Sequence, residues 1–224
     1  MKNNQIYRYE RKYFISDIND QEVESIINFH PAMFSEIFYK RSVNNIYFDS
    51  PGLKNYFDNV SGNMERIKTR IRWYGELFDN IEKPVLELKI KKGLLGRKLS
   101  YLLYPFRLDS HFNMQNIIQN EKLPEIIKTG LKSSQPVLLN RYSRKYFLSA
   151  DKRYRITIDT DQVFYEIGVR NNSFLKKRSD DINVILELKY NINFDEDANH
   201  ITEHFPFRLT KSSKYVTGIE KIYV

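Results

Sequence analysis

Four basic residues recur at every second position of one short stretch: Arg66, Lys68, Arg70 and Arg72. Ile67, Ile71 and Trp73 stand between them. Period two places the two sets on opposite faces of a β-strand, spanning Met64 to Tyr74. Arginine grips phosphate oxygens as a planar fork and lysine acts as a point charge, so such a face suits a phosphate-rich anion. Val85 to Lys91 repeats the scheme, with Glu87, Lys89 and Lys91 opposite Leu86, Leu88 and Ile90. Arg8, Glu10 and Lys12 oppose Tyr7, Tyr9, Tyr13 and Ile15 at the start of the chain. Three more segments follow the rule. Val137 to Phe147 carries Arg141 and Lys145 on one face. Arg153 to Val163 carries Arg153, Arg155, Asp159 and Asp161. Val184 to Tyr190 carries Glu187 and Lys189.

Like charges stacked on adjacent strands destabilise a sheet. A bound polyanion or interleaved carboxylates would offset that cost. If the sheet closes into a barrel with its charged faces inward, the lumen must be wet or filled by ligand, because buried unpaired charge is very costly. The apolar faces then point outward and need helices against them. The competing reading is a sandwich with a solvated charged face, and the pattern alone reaches no further than an anion-binding β-domain.

Helices that could give the cover are legible. Asp17 to His30 has an apolar stripe of Val23, Ile26 and Ile27. Ser50-Pro51 has the form of an N-cap followed by proline at the first helical position, ahead of Leu53, Tyr56 and Phe57. Asn113 to Leu131 reads as helix with a break at Pro124. Val43 to Asp49 and Leu99 to Leu108 read as further strands.

The chain has 224 residues and no cysteine, which excludes disulfides and thiolate metal sites. A hydrophobic share of 41% is enough for a core and argues against disorder. The formal net charge of +8 favours an anionic partner: phosphates, nucleic acid or an anionic membrane surface. Met1 to Tyr9 is polar, and no apolar run approaches the roughly 20 residues that cross a bilayer. A cytoplasmic domain is expected, associated with a membrane only through a partner. Neither a repeat nor a linker interrupts the chain, so a single domain over 1–224 is expected.

At these residues the chain resembles the VTC domain, the polyphosphate polymerase branch of the triphosphate tunnel metalloenzymes (CYTH-like superfamily). The resemblance rests on Arg8 to Tyr13, Ile46 to Ser50, Lys68 to Tyr74, Leu86 to Lys89, Arg141, Arg153 to Thr160, Leu186 to Lys189 and Lys211 to Tyr215, in that order. The superfamily's opening strand reads Glu-x-Glu-x-Lys, and here Arg8 replaces the first Glu ahead of Glu10 and Lys12. That loss weakens the case for a two-metal hydrolase. The resemblance implies an α+β, β-dominated fold: a closed antiparallel eight-stranded tunnel with flanking helices. It implies transfer of the ATP γ-phosphate onto polyphosphate with Mn²⁺ or Mg²⁺. By matching position, Lys12, Arg70, Arg72, Lys89, Arg141 and Arg155 contact phosphates, and Lys68, Lys98, Lys189, Lys211, Ser213 and Lys214 hold the chain or nucleotide. Glu187 binds the metal, with Glu10 and Glu87 as weaker candidates. Coupling to transport would need a separate membrane-protein partner.

Three alternatives stay open: a tripolyphosphatase or nucleotide triphosphatase using water, a non-catalytic polyphosphate-binding module, and, less favoured, a nucleic-acid binder. His200 and His204 miss the zincin pattern and read as surface residues. Gly93 and Gly96 lack Walker spacing and read as a turn. Tyr142, Tyr146, Phe147, Phe164 and Tyr165 read as packing rather than base-stacking residues. Asp159 and Asp161 fit either a metal or a pairing with Arg153 or Arg155.

Overall fold

The computed structural model describes residues 8–92, 95–119, 123–170 and 172–224. Tyr7 and Gly93 lie outside the described residues. The strands are β1 (Arg8–Ile15), β2 (Ser35–Asp49), β3 (Glu65–Tyr74), β4 (Asp79–Ile81), β5 (Val85–Lys92), β6 (Leu95–Leu102), β7 (Phe106–Leu108), β8 (Gln135–Leu148), β9 (Tyr154–Tyr165), β10 (Lys177–Asp180) and β11 (Val184–Asn191). The helices are α1 (Asp20–Asn28), α2 (Lys54–Val60), α3 (Gln115–Ile118), α4 (Glu125–Lys132), α5 (Ala198–Thr202) and α6 (Lys214–Tyr223). Hydrogen bonding follows the order β1-β11-β9-β8-β2-β3-β5-β6, with β10 on β9 and a separate β4-β7 pair. The registers of β1–β11, β11–β9, β2–β3, β3–β5 and β5–β6 are all antiparallel. The fold is therefore β-dominated α+β, and among the described residues the strand path has two ends, β1 and β6.

The chain divides into two compact units: residues up to 41, 143–161 and 180–212 form the first, and 42–142, 162–179 and 213–224 the second. In the first, the odd-numbered side chains Tyr13 and Ile15 of β1 join Ile156 and Ile158 of β9 and Leu186 and Leu188 of β11 in one core. Val23 and Ile27 of α1 and Ala198 and Ile201 of α5 close it. Helix α1 starts at Asp20 because Asn19 and Glu22 cap each other in a capping box, at 2.9 Å in both directions. The apolar stripe expected for this helix is the one buried.

In the second unit, Ile46, Phe48, Ile71, Trp73 and Leu86 pack with Ile117 of α3 and Leu131 of α4. The helix expected across 113–131 is indeed split, with Pro124 serving as the N-cap of α4. A smaller cluster joins Tyr47, Leu138 and Phe164 to Tyr215, Ile219 and Ile222 of α6. A Cβ on Gly218 would stand 2.4 Å from Leu138 Cδ2 and 2.6 Å from Phe164 Cδ1, so only glycine lets α6 approach this closely.

Three sequence expectations need correction. The helix after Ser50-Pro51 begins at Lys54, because Asp49 takes the backbone N–H groups of Ser50, Asn55 and Tyr56 and Leu53 adopts φ 53°. The strand expected from Leu99 to Leu108 is two, β6 and β7, parted at 103–105 where Pro105 cannot donate to a ladder. Strand β2 starts eight residues before Val43, at Ser35.

Candidate functional site

Registers decide which side chains share a face. Across β3, β5 and β6, Lys68 lies opposite Lys89 and Lys89 opposite Lys98. One row along, Tyr47 lies opposite Arg70, Arg70 opposite Glu87, and Glu87 opposite Ser100. Beyond these stand Asn45 opposite Arg72 and Arg66 opposite Lys91. This face of the second unit therefore carries seven cations, Arg66, Lys68, Arg70, Arg72, Lys89, Lys91 and Lys98, and one carboxylate, Glu87.

Glu87 organises its neighbours. Arg70 donates to it from Nε at 2.8 Å and from Nη2 at 2.6 Å, Arg72 Nη1 stands 3.8 Å away, and Lys98 is in close contact. Burial pushes the Glu87 carboxyl up, but the Arg70 and Arg72 guanidiniums and Lys98 outweigh it and hold it at about 2. Arg72 Nε also donates to Asn45 Oδ1 at 2.9 Å and Nη2 to Tyr142 Oη at 3.1 Å, which fixes the plane of its fork.

The start of α6 lies against the same group of residues. Lys68 Nζ donates to Ser213 Oγ at 3.0 Å, and Lys214 Nζ stands 4.7 Å from the centre of the Tyr142 ring. Asp49 explains this placement. The Tyr215 hydroxyl donates to its buried carboxylate, so α6 is anchored one residue after Lys214. Burial and the Asp49 charge push the Tyr215 phenol far up, and it remains a donor.

The first unit has its own charged face. Glu10 lies opposite Lys189 and Lys189 opposite Arg155; Lys12 lies opposite Glu187 and Glu187 opposite Thr157. Lys12 Nζ reaches Glu187 at 2.9 Å and Glu10 at 3.1 Å, and Lys189 Nζ reaches Glu187 at 2.5 Å. Arg144 binds Asp159 through two contacts, at 2.5 and 2.6 Å, and touches Glu187 at 3.5 Å. Burial lowers the Lys12 ammonium, but Glu187 and Glu10 reverse this and raise it above the ordinary lysine value. Lys189 goes the other way, to about 8, because burial and then Arg144 outweigh Glu187 and Glu10.

The expected site residues thus fall into two groups. Arg70, Arg72, Lys68, Lys89, Lys98, Glu87, Ser213 and Lys214 share the second unit's cluster, while Lys12, Glu10, Glu187, Lys189 and Arg155 share the first unit's face. Lys211 is exposed ahead of α6. Arg141 is not brought to the second cluster. Alternation along β8 turns it away from Tyr142, and it donates to Ser42 Oγ at 3.0 Å. Lys145 likewise turns to Glu24 of α1, at 2.5 Å.

Sequence reasoning missed Arg144 and the hydrogen bond that Tyr142 accepts from Arg72. Both residues lie on the even-numbered face of β8, and the presence of Asn140 there was the available signal that this face is polar. Asp161 pairs with Lys40 at 3.0 Å, and Arg153 with Asp151 at 3.8 Å. His200 and His204 are exposed, and among the described residues no three His, Asp or Glu side chains gather as a metal-ligating group. Tyr142, Phe147 and Phe164 are buried, as packing residues should be.

Two solved structures share this fold at low identity. One is a provisionally assigned adenylate cyclase from Vibrio parahaemolyticus, 9% identical over 94% of this chain and 96% of that one, with a TM-score of 0.53. The other is a protein from Pyrococcus horikoshii OT3, 14% identical over 96% of this chain and 99% of that one, with a TM-score of 0.51. No curated protein matches the chain. Residues 7–223 match the VTC domain, nearly the whole length, and the chain belongs to the VTC domain family.

Proposed function

We propose that the chain is a metal-dependent polyphosphate polymerase that moves the γ-phosphate of ATP onto a growing polyphosphate chain. The observation that carries this reading is the face of β3, β5 and β6, which bears seven cations and one carboxylate. A row of three lysines across three adjacent strands is unfavourable by itself. A ligand of closely spaced negative charges offsets that repulsion, and membership of the VTC family agrees with such a ligand. Closure of the sheet into an eight-stranded tunnel is part of this proposal, as the family resemblance implies.

In this reading Arg70 and Arg72 grip phosphate oxygens in forked geometry, while Lys68, Lys89 and Lys98 act as point charges. Ser213, Lys214 and the first N–H groups of α6 form a further anion-binding corner. Lys211, exposed just ahead of it, holds the distal phosphates. Lys12, Lys189 and Arg155 take phosphate oxygens beside the metal. Arg141 has no part in the proposal, since it faces the other way.

Glu10 and Glu187 are the carboxylates we assign to the metal. Both reach the single ammonium of Lys12, so their oxygens already converge on one cation. A hard divalent ion such as Mg²⁺ or Mn²⁺ takes oxygen ligands, often one or two carboxylates with the rest from phosphates and water, and this pair fits that need. Such an ion would neutralise charge on the reacting phosphates. Glu87 is given a different task. Three cations surround it and oppose a fourth, so it holds Arg70, Arg72 and Lys98 in place.

The terminal oxygen of the polyphosphate chain attacks the γ-phosphorus. The new P–O bond forms as the bond from the γ-phosphorus to the β–γ bridging oxygen breaks, and ADP leaves with that electron pair. The attacking oxygen is already ionised and needs no general base. The work left to the protein is alignment and charge stabilisation, which dominates phosphoryl transfer. A cytoplasmic setting belongs to this reading, with transfer of product across a membrane left to a separate protein; among the described residues no helix is long and apolar enough to cross one.

Purified protein incubated with ATP and Mn²⁺, with and without a short polyphosphate primer, tests the proposal. Chain growth with matched ADP release is expected, and Arg72→Ala should abolish it. Free phosphate without chain growth would replace the polymerase with a triphosphatase. Tight tripolyphosphate binding with neither product would leave a binding module.

A further inference from the structure

Arg72 is a cation held mainly by neutral groups. Its side chain is only 12% exposed, its Nε donates to Asn45 Oδ1 at 2.9 Å, and its Nη2 donates to Tyr142 Oη at 3.1 Å. Its ion-pair distance to Glu87 is 3.8 Å, and Arg70 and Lys98 both lie closer to that carboxylate. Arg70 is held differently, with Nε and Nη2 both on Glu87. A guanidinium this far removed from water is costly unless an anion meets it. The N–H groups that Arg72 keeps for such an anion are on Nη1 and Nη2, a pair that can grip two oxygens of one phosphate.

The amide that takes Nε is itself held. Asn45 Nδ2 donates to Asn140 Oδ1 at 3.4 Å, and Asn140 Nδ2 donates to Val163 O at 3.3 Å and to Arg141 O at 3.4 Å. Asn45 and Asn140 are both fully buried, so solvent offers no substitute for these bonds. The directions along this chain are forced. Backbone carbonyls only accept, so the amino end of Asn140 faces them and its oxygen faces Asn45. The amino end of Asn45 meets that oxygen, which leaves its own oxygen for Nε, a group that only donates. Turning over either amide sets donor against donor at one end and acceptor against acceptor at the other.

We propose that Asn45 and Asn140 are positioning residues for Arg72, and that a neutral acceptor on Nε fixes the fork while leaving its positive charge for phosphate. A carboxylate at position 45 would hold Nε as well, but would cancel that charge. The inference rests on the proposed polyphosphate site and names what aims one of its arginines.

The full chain tests this with two readouts. In NMR spectra of isotope-labelled protein, the Nε–H signal of Arg72, identified by its absence in Arg72→Lys, should exchange slowly with water. Asn45→Ala should lose that protection, and Asn140→Leu should weaken it from two links away. Each should also weaken the binding of inorganic tripolyphosphate about two- to tenfold, the worth of one neutral hydrogen bond. Asn45→Asp separates aim from charge. It keeps an oxygen on Nε, so the protection should stay, while tripolyphosphate binding should fall by about tenfold or more. An amide with a merely structural role would show no such split. Thermal melts record the stability cost of each variant, and if Asn140→Leu does not fold, the two Asn45 variants decide. Unchanged protection in Asn45→Ala, or tripolyphosphate bound by Asn45→Asp as tightly as by the parent protein, would overturn the proposal. Failure of the parent protein to bind tripolyphosphate, with the protection pattern intact, would instead overturn the anion reading of the face and with it the reason for a neutral acceptor, while the positioning of Arg72 by the two amides would stand.

Discussion

The two charged faces are built from the same strand pattern and reach different electrostatic ends. In the first unit Lys12, Lys189, Arg144 and Arg155 stand with Glu10, Glu187 and Asp159, four cations to three carboxylates. Opposite charges meet across β1 and β11, Glu10 with Lys189 and Lys12 with Glu187, and the one like-charge pair, Lys189 with Arg155, stands beside Glu10. In the second unit like charges meet, Lys68 with Lys89 and Lys89 with Lys98, around Glu87 alone. The first face offsets all but one of its positive charges with its own carboxylates, whereas the second keeps seven cations against one carboxylate. Alternation in a sequence therefore shows where charges gather, and only the register shows whether they cancel.

The sharpest way to break this comparison is to remove one arginine from each face. Arg144 is nearly buried and binds the fully buried Asp159 through two contacts. Arg144→Met removes the two-contact ion pair from that carboxylate and should cost about 3–5 kcal/mol of stability. Arg72→Met in the second unit should cost less stability, because Arg72 leaves behind only Asn45, Tyr142 and a carboxylate still held by Arg70 and Lys98. Its loss should appear instead in tripolyphosphate affinity, by about 1.5–3 kcal/mol, or roughly ten- to a hundredfold. Denaturant titrations with and without tripolyphosphate measure both. Equal stability losses with equal affinity losses would mean that the two faces are not different in kind.

Acid sharpens the same contrast. The Glu87 carboxyl titrates at about 2 in the fold, below its ordinary 4.5. Between those values the folded state binds fewer protons than the unfolded one, so stability rises with pH there. The contribution of Glu87 is complete above about pH 4.5 and is lost as the pH falls through that window toward 2. Glu87→Gln should flatten this part of the stability curve. Thermal melts of both proteins from pH 5 to acid would check it, and an unchanged slope in the variant would place the acid sensitivity elsewhere.

The strands that build the faces were legible because their periods are clean. Alternation in β3, β5 and β11 is unbroken, and their limits lie within two residues of those expected. Strand β8 was ambiguous for a physical reason. It carries polar groups at Arg141 and Lys145 on one side and at Asn140, Tyr142 and Arg144 on the other. Both sides find partners, Ser42 and Glu24 for one and Asp159, Glu187 and Arg72 for the other. Those partners lie far away in sequence, so alternation alone does not show which side of β8 meets Arg72. Helix α6 is only ten residues long, and its stripe at Tyr215, Ile219 and Ile222 follows a basic start at Lys211 and Lys214 that masks the helical period. The early end of β2 was missed because its exposed side chains give no alternation in hydrophobicity to follow.

The smallest effect concerns a hydroxyl on the first unit's charged face. Thr157 is 1% exposed, lies opposite Glu187, and among the described residues its Oγ1 has no hydrogen-bond partner. A buried hydroxyl that gives up water without a partner is a net cost, and replacing it by a group of the same shape relieves that cost. Thr157→Val should therefore stabilise the ligand-free protein, by about 1 kcal/mol. Thr160, three residues on in the same strand, is the matched control. Its hydroxyl donates to Asp161 Oδ2 at 3.1 Å, so Thr160→Val should lose stability by a similar amount. Opposite signs in thermal melts of the two variants would show that the first face, although rich in ion pairs, keeps one polar atom in reserve. A loss for Thr157→Val would mean that this hydroxyl is satisfied in solution and that the face is closed in its hydrogen bonds as well as its charges.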